Sequence, residues 1–188
     1  ARLTALGIPF RIVTNYSAAH RDTLSARFAD GAVPGRRFIT AASAAASYTA
    51  AHHPGGRLFV ISAPDALREF DGQALVSADE ADAAAPGELA AVVIGDGGDD
   101  LSYRNLDVAF RAIRRGAEFV AMHRNPWWLT PLGETLDAGA FVAGLEVATG
   151  RTPVLCGKPS PVVFEQALAG LAADLGGGRV RDLLKRDV

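Results

Sequence analysis

Five short apolar runs recur along the 188 residues: 9–13 (PFRIV), 57–62 (RLFVIS), 90–95 (AAVVIG), 118–122 (EFVAM) and 152–156 (TPVLC). Each is bounded by turn residues and too uniformly apolar to have one wet face. Strands buried on both sides of a parallel sheet read this way. Helical stretches separate them. Residues 18–29 follow Ser17 as a candidate N-cap, and 41–53 follow Thr40 and stop before Pro54-Gly55-Gly56. Residues 103–115 follow Ser102, with Leu106, Phe110 and Ile113 spaced by four and three; 139–149 end at Gly150, and 161–175 end at Gly176. The alternation predicts an α/β fold, a mostly parallel sheet with covering helices. The acidic, alanine-rich segment 77–89 reads as a surface connection.

Composition narrows the function classes. Hydrophobic residues make up 49% of the chain, enough for a real core. The net charge of −2 gives no basic footprint for nucleic acid. No apolar run reaches the length of a membrane span, and no signal peptide opens the chain. The single cysteine, Cys156, excludes an intramolecular disulfide and fits a reducing compartment, so the cytoplasm is the expected location.

Chemistry-bearing residues gather where strands end. The first strand stops at Thr14-Asn15, a hydroxyl and an amide that can cap a helix or bind a phosphate. The last runs into Gly157-Lys158-Pro159-Ser160-Pro161, where Pro161 can open a helix after a Ser160 cap. Lys158 is notable because Lys185 is the only other lysine, and a compact ammonium at a strand's carboxyl end suits phosphate. The stretch 94–100 (IGDGGDD) offers Asp96, Asp99 and Asp100 as hard oxygen ligands suited to Mg²⁺, or else forms an acidic surface turn. The stretch 121–129 (AMHRNPWWL) sets His123, Arg124, Asn125, Trp127 and Trp128 after a strand. It reads either as a core plug or as a recognition loop with an aromatic wall and polar tips. His20, His52 and His53 have no partners at metal-ligand spacing. No nucleophile elbow, Walker lysine loop or dinucleotide fingerprint is present.

Taken in order, strand–Thr–Asn, an α/β insertion of more than about a hundred residues and strand–Gly–Lys–Pro–Ser–Pro resemble the haloacid dehalogenase (HAD) superfamily of phosphatases. The segments SYRNLDVAFRAIRRGAEFVAMHRNPWW and GAFVAGLEVATGRTPVLCGKPSPVVFEQAL are similar to the subclass with a C2-type cap, and within it to the phospholysine phosphohistidine inorganic pyrophosphate phosphatase group. The resemblance implies a partial Rossmann-like core, residues 1–40 and 153–188, around a C2-type cap over 41–152. It implies a Mg²⁺-dependent phosphatase acting on a small phosphorylated metabolite through an aspartyl-phosphate intermediate. Thr14, Asn15 and Lys158 would bind phosphate, Thr14 and Lys158 acting in catalysis. His123, Arg124 and Trp128 would select the substrate, with Trp127 packed inward as the loop's anchor. Asp182 and Asp187 would bind the metal. A homodimer through the cap is also implied, with neither nucleic acid nor membrane as partner.

The sequence departs from the family's pattern in two places. No acidic residue precedes Thr14, so the Asp-x-Asp nucleophile motif lies outside these residues, and Arg181 stands where the metal motif has glycine. The chain is therefore read as a piece of a longer enzyme or as one lacking its nucleophile. The alternative is a non-catalytic binding or dimerisation module built on the cap. The 188 residues alone should not turn over p-nitrophenyl phosphate with Mg²⁺, because phosphate contacts without a nucleophile cannot form the covalent intermediate. Turnover by protein purified free of host phosphatases would contradict this.

Overall fold

The computed structural model describes residues 2–29 and 32–175. Its elements in chain order are α1 (Arg2–Ala5), β1 (Ile12–Thr14), α2 (Arg21–Ala29), β2 (Phe38–Thr40), α3 (Ala41–His52), β3 (Arg57–Ile61), α4 (Pro64–Leu67), β4 (Ala74–Leu75), α5 (Ala78–Ala83), β5 (Leu89–Ile94), α6 (Tyr103–Arg114), β6 (Glu118–Ala121), β7 (Trp127–Thr130), β8 (Gly133–Leu136), α7 (Ala138–Thr149), β9 (Val154–Leu155) and α8 (Pro161–Asp174). The fold is mixed α/β, as the alternation predicts. Five parallel strands form the main sheet in the order β4-β3-β5-β6-β9, and β1 and β2 form a separate parallel pair.

The apolar runs are strands because both of their faces are covered. Leu58, Ala91, Val93 and Val120 point to one side, where α3 and α8 supply Ala41, Ala42, Ala44, Ala45, Val163 and Ala167. Phe59, Ile61, Val92, Ile94, Phe119 and Ala121 point to the other, against Ala81 of α5, Val108, Ala112 and Ile113 of α6, and Val142 and Leu145 of α7. Each fully buried valine or isoleucine contributes roughly 1.5–3 kcal/mol relative to exposure. A smaller core of Ala19, Leu24, Val33 and Phe38 lies beside β1 and β2.

Local chemistry sets the helix boundaries. Thr40 and Ser43 cap α3 reciprocally: Thr40 Oγ1 accepts the Ser43 N–H at 2.9 Å, and Ser43 Oγ accepts the Thr40 N–H at 3.0 Å. Ser102 caps α6, and Ser160 caps α8 with Pro161 in the first turn. Gly150, at φ 68°, closes α7 in the left-handed region that favours glycine.

The structure corrects two local expectations. Ser17 does not cap α2, which begins four residues later at Arg21; its buried hydroxyl has partners elsewhere. The segment 77–89 is not a bare connection. Ser77 and Glu80 form a capping box that starts α5, and Ala81 packs into the core. The antiparallel hairpin β7–β8 had no clear alternation to announce it, since three of the four β7 residues are exposed.

The parallel strands all deliver their carboxyl ends to one edge. The Gly95 N–H bonds to Ile61 O, Met122 N–H to Ile94 O, Cys156 N–H to Ala121 O and Gly157 N–H to Met122 O, at 2.7–2.9 Å. The segments after β3, β5, β6 and β9 therefore leave the sheet side by side, where open α/β sheets hold ligands.

Candidate functional site

A cleft of about 360 Å³ opens at this edge, lined by Thr14–Ala18, Asp96, His123, Asn125, Trp128, Asp137 and Lys158. Its floor is a set of hydrogen bonds between segments far apart in sequence. Asn15 holds Lys158 by the main chain: its Oδ1 accepts the Lys158 N–H at 2.7 Å, and its Nδ2 donates to Lys158 O at 3.1 Å. The same Nδ2 reaches Asn125 Oδ1 at 3.3 Å. Both ends of the Asn15 amide are thus engaged in fixing Lys158. The Lys158 side chain is exposed, and no carboxylate pairs with it among the described residues. Thr14 Oγ1 accepts the Tyr16 N–H at 3.2 Å, which leaves its hydroxyl proton available to an anion.

The second knot centres on Ser17. Its Oγ accepts the Asp96 N–H at 3.1 Å and lies 2.8 Å from His123 Nε2, while its carbonyl accepts from Ser62 Oγ at 3.0 Å. His123 Nδ1 faces the Asn125 N–H at 3.4 Å, so it acts as the acceptor and the proton sits on Nε2. His123 is 2% exposed. Burial pulls its pKa below the usual imidazole value, against the opposing pull of Asp137 and Asp96. The neutral ring that this favours is the form the two contacts require. Helix α7 closes the back of the site: the Gly139 N–H bonds to Asn125 O at 3.0 Å, and a methyl at 139 would collide with the backbone of Arg124 and Asn125.

The structure therefore gathers Thr14, Asn15, His123, Trp128 and Lys158 into one cleft. Arg124 is not on its lining; it turns away to pair with Glu146 of α7. Trp127 is not the inward anchor that the sequence suggested. It is 55% exposed and Trp128 39%, because both lie on a hairpin that projects from the sheet. Asp182 and Asp187 lie outside the described residues. Among the described residues no three histidine, cysteine or acidic side chains come together as a metal site, so they do not by themselves provide for Mg²⁺. Sequence reasoning missed Ser17, read as a cap, and Asp137, whose only signal was its place before α7. Asp96 was singled out as a metal ligand or surface acid, with no sign that it faces the cleft.

No protein-family model matches the chain. The acid sugar phosphatase of Staphylococcus saprophyticus is 25% identical over 184 residues, covering 96% of this chain and 68% of that protein. Among solved structures, the p-nitrophenyl phosphatase from Archaeoglobus fulgidus is 26% identical, with a TM-score of 0.80, covering 91% of this chain and 64% of its own. The glycerol phosphate phosphatase Rv1692 from Mycobacterium tuberculosis, in complex with magnesium, is 29% identical with a TM-score of 0.74, covering 85% and 48%. The curated and structural relatives are haloacid dehalogenase-like phosphatases, and this chain shares their capped fold while spanning about two thirds or less of their length.

Burial of His123 has a measurable consequence. Its folded pKa lies below the unfolded value near 6.5, so the unfolded chain binds the proton first as pH falls. Stability should be complete above pH 6.5 and decline below it, until the folded ring also protonates. His123→Gln should lose less stability than the wild type between about pH 7.5 and pH 5.5 in urea melts. Equal losses would contradict the assignment.

Proposed function

We propose that this chain is the phosphate-gripping and cap portion of a Mg²⁺-dependent haloacid dehalogenase-like phosphatase that acts on a small phosphorylated metabolite. The observation that carries the reading is the Asn15–Lys158 clamp. It joins residues 143 apart in sequence and sets a lysine ammonium and the Thr14 hydroxyl on one cleft. Phosphoryl transfer is mainly positioning and charge stabilisation, and a fixed cation beside a hydroxyl donor supplies both. In this reading Thr14 and Lys158 contact the phosphoryl group, while Asn15 acts chiefly by holding Lys158 in place. Residues 1–40 and 153–188 belong to the core side and 41–152 to the cap, with Val154–Leu155 marking the passage between them. An Asp-x-Asp motif outside these residues would supply the nucleophile, and Mg²⁺, with Asp182 and Asp187 as its candidate ligands, would offset charge on the phosphate when bound. The magnesium in the Rv1692 structure supports that choice.

The relatives are named for different phosphate esters, and the group common to all of them is the phosphoryl. Discrimination thus falls to the surfaces above the phosphate, chiefly Trp128 and its neighbours, with Arg124 as an outlying member of the same loop. The exposed apolar residues Trp127, Leu129, Leu132 and Leu136 of the β7–β8 hairpin support a homodimer through the cap. No described helix is long and apolar enough to cross a membrane, and a reducing cytoplasm suits the buried free thiol of Cys156.

In the enzyme that contains this chain, Lys158→Ala should lower kcat/KM on the order of a hundredfold, and Lys185→Ala should leave it nearly unchanged. Chelation should remove the activity and Mg²⁺ restore it. Equal, small effects of both substitutions on p-nitrophenyl phosphate hydrolysis would refute the role of Lys158. Light scattering at tens of micromolar (roughly, from interface strengths of this class) should give twice the monomer mass; a monomer would remove the dimer.

A further inference from the structure

We propose that Asp96 selects the leaving group, accepting hydrogen bonds from the hydroxyls of a polyhydroxylated, sugar-like or polyol, phosphate ester. The proposal rests on the phosphate reading of the cleft and deepens it. Asp96 stands two residues past the end of β5, and its setting fixes the carboxylate before any ligand arrives. Its N–H is tied to Ser17 Oγ at 3.1 Å and its carbonyl accepts the Ala63 N–H at 2.7 Å. One carboxylate oxygen, Oδ1, receives the Gly98 N–H at 3.3 Å; Oδ2 has no partner among the described residues. The turn is closely packed: a methyl at Gly95 would strike Met122 and one at Gly97 would press on Ile61.

A carboxylate in a phosphate cleft repels the phosphoryl group, which Lys158 and Thr14 would hold. Asp96, on the same lining, would instead meet the rest of the molecule, as a group that an anion avoids and a hydrogen-bond donor seeks. The third wall is Trp128, whose half-exposed indole offers an apolar face. A carboxylate beside an indole fits a molecule with hydroxyls on its edges and C–H groups on its face, which describes a sugar or polyol. An aryl leaving group could use the indole alone and would leave the carboxylate unpaired.

Equilibrium binding tests this on the chain itself, without turnover. Inorganic phosphate, phenyl phosphate and glucose 6-phosphate are titrated against the wild type, Asp96→Ala, Asp96→Asn and Asp99→Ala, with thermal melts confirming that each variant folds. The wild type should bind glucose 6-phosphate more tightly than phenyl phosphate. Asp96→Ala should cut that preference about tenfold or more, the usual effect of a hydrogen bond to a charged group. Asp96→Asn, which keeps the side chain's volume, should cut it in the same direction. Asp99→Ala, on the same turn but off the lining, should leave it intact. A preference unchanged in both Asp96 variants overturns the inference while the phosphate reading stands. Failure of inorganic phosphate to bind the wild type overturns the phosphate reading, and the inference with it.

Discussion

One buried hydroxyl holds the site together. Ser17 Oγ meets the Asp96 main chain and the His123 ring, and the Ser17 carbonyl meets Ser62, so a single residue after β1 touches the segments that follow β3, β5 and β6. Beside it, the small β1–β2 pair leans on the main sheet through packing with α3 and α8 and through the Asn15 contacts to Lys158 and Asn125. A two-stranded sheet is marginal alone, and here its orientation decides where Thr14 and Asn15 point. The neighbouring contacts repeat the pattern: Asp65 accepts the His20 N–H, and the buried Glu69 receives the Arg21 main chain and guanidinium. The segment 15–21 is stitched down along its length. The loop after β1 and the loop bearing Trp128 are therefore joined by hydrogen bonds, Ser17 to His123 and Asn15 to Asn125.

The electrostatics of the cleft follow from that arrangement. Burial disfavours the charged form of His123, and both of its ring nitrogens have partners. The positive charge on the lining is then that of Lys158, opposed by Asp96 and Asp137.

Much of the fold was legible because its physics is local. The five apolar runs became the strands β1, β3, β5, β6 and β9, and Thr40, Ser102, Ser160 and Gly150 cap helices where their chemistry allows. The site was legible only in part. Thr14, Asn15 and Lys158 could be singled out from strand ends, and the structure sets them on one cleft. Ser17 could not be, since a serine before a helix looks the same whether it caps that helix or bonds a histidine 106 residues away. Asp96 sits among other aspartates, and only register distinguishes the one facing the cleft from Asp99 and Asp100. Trp127 misled in the opposite sense: it was expected to pack inward, yet the hairpin that carries it packs against α7 and leaves it 55% exposed.

The alanine face of α3 carries a different consequence. Ala41, Ala42, Ala44 and Ala45 are fully buried against the sheet, and methyl groups have no rotamers with which to make room. Each added methylene must move a backbone, typically at 1–3 kcal/mol. The chemically plainest letters in the sequence are thus among its most constrained, while conspicuous ones such as Leu132 and Trp127 have space around them. Among diverging descendants of this chain, drift would be slow along α3 and fast along the rim of the hairpin, so the alanines would keep the record of common descent after the tryptophans had lost it.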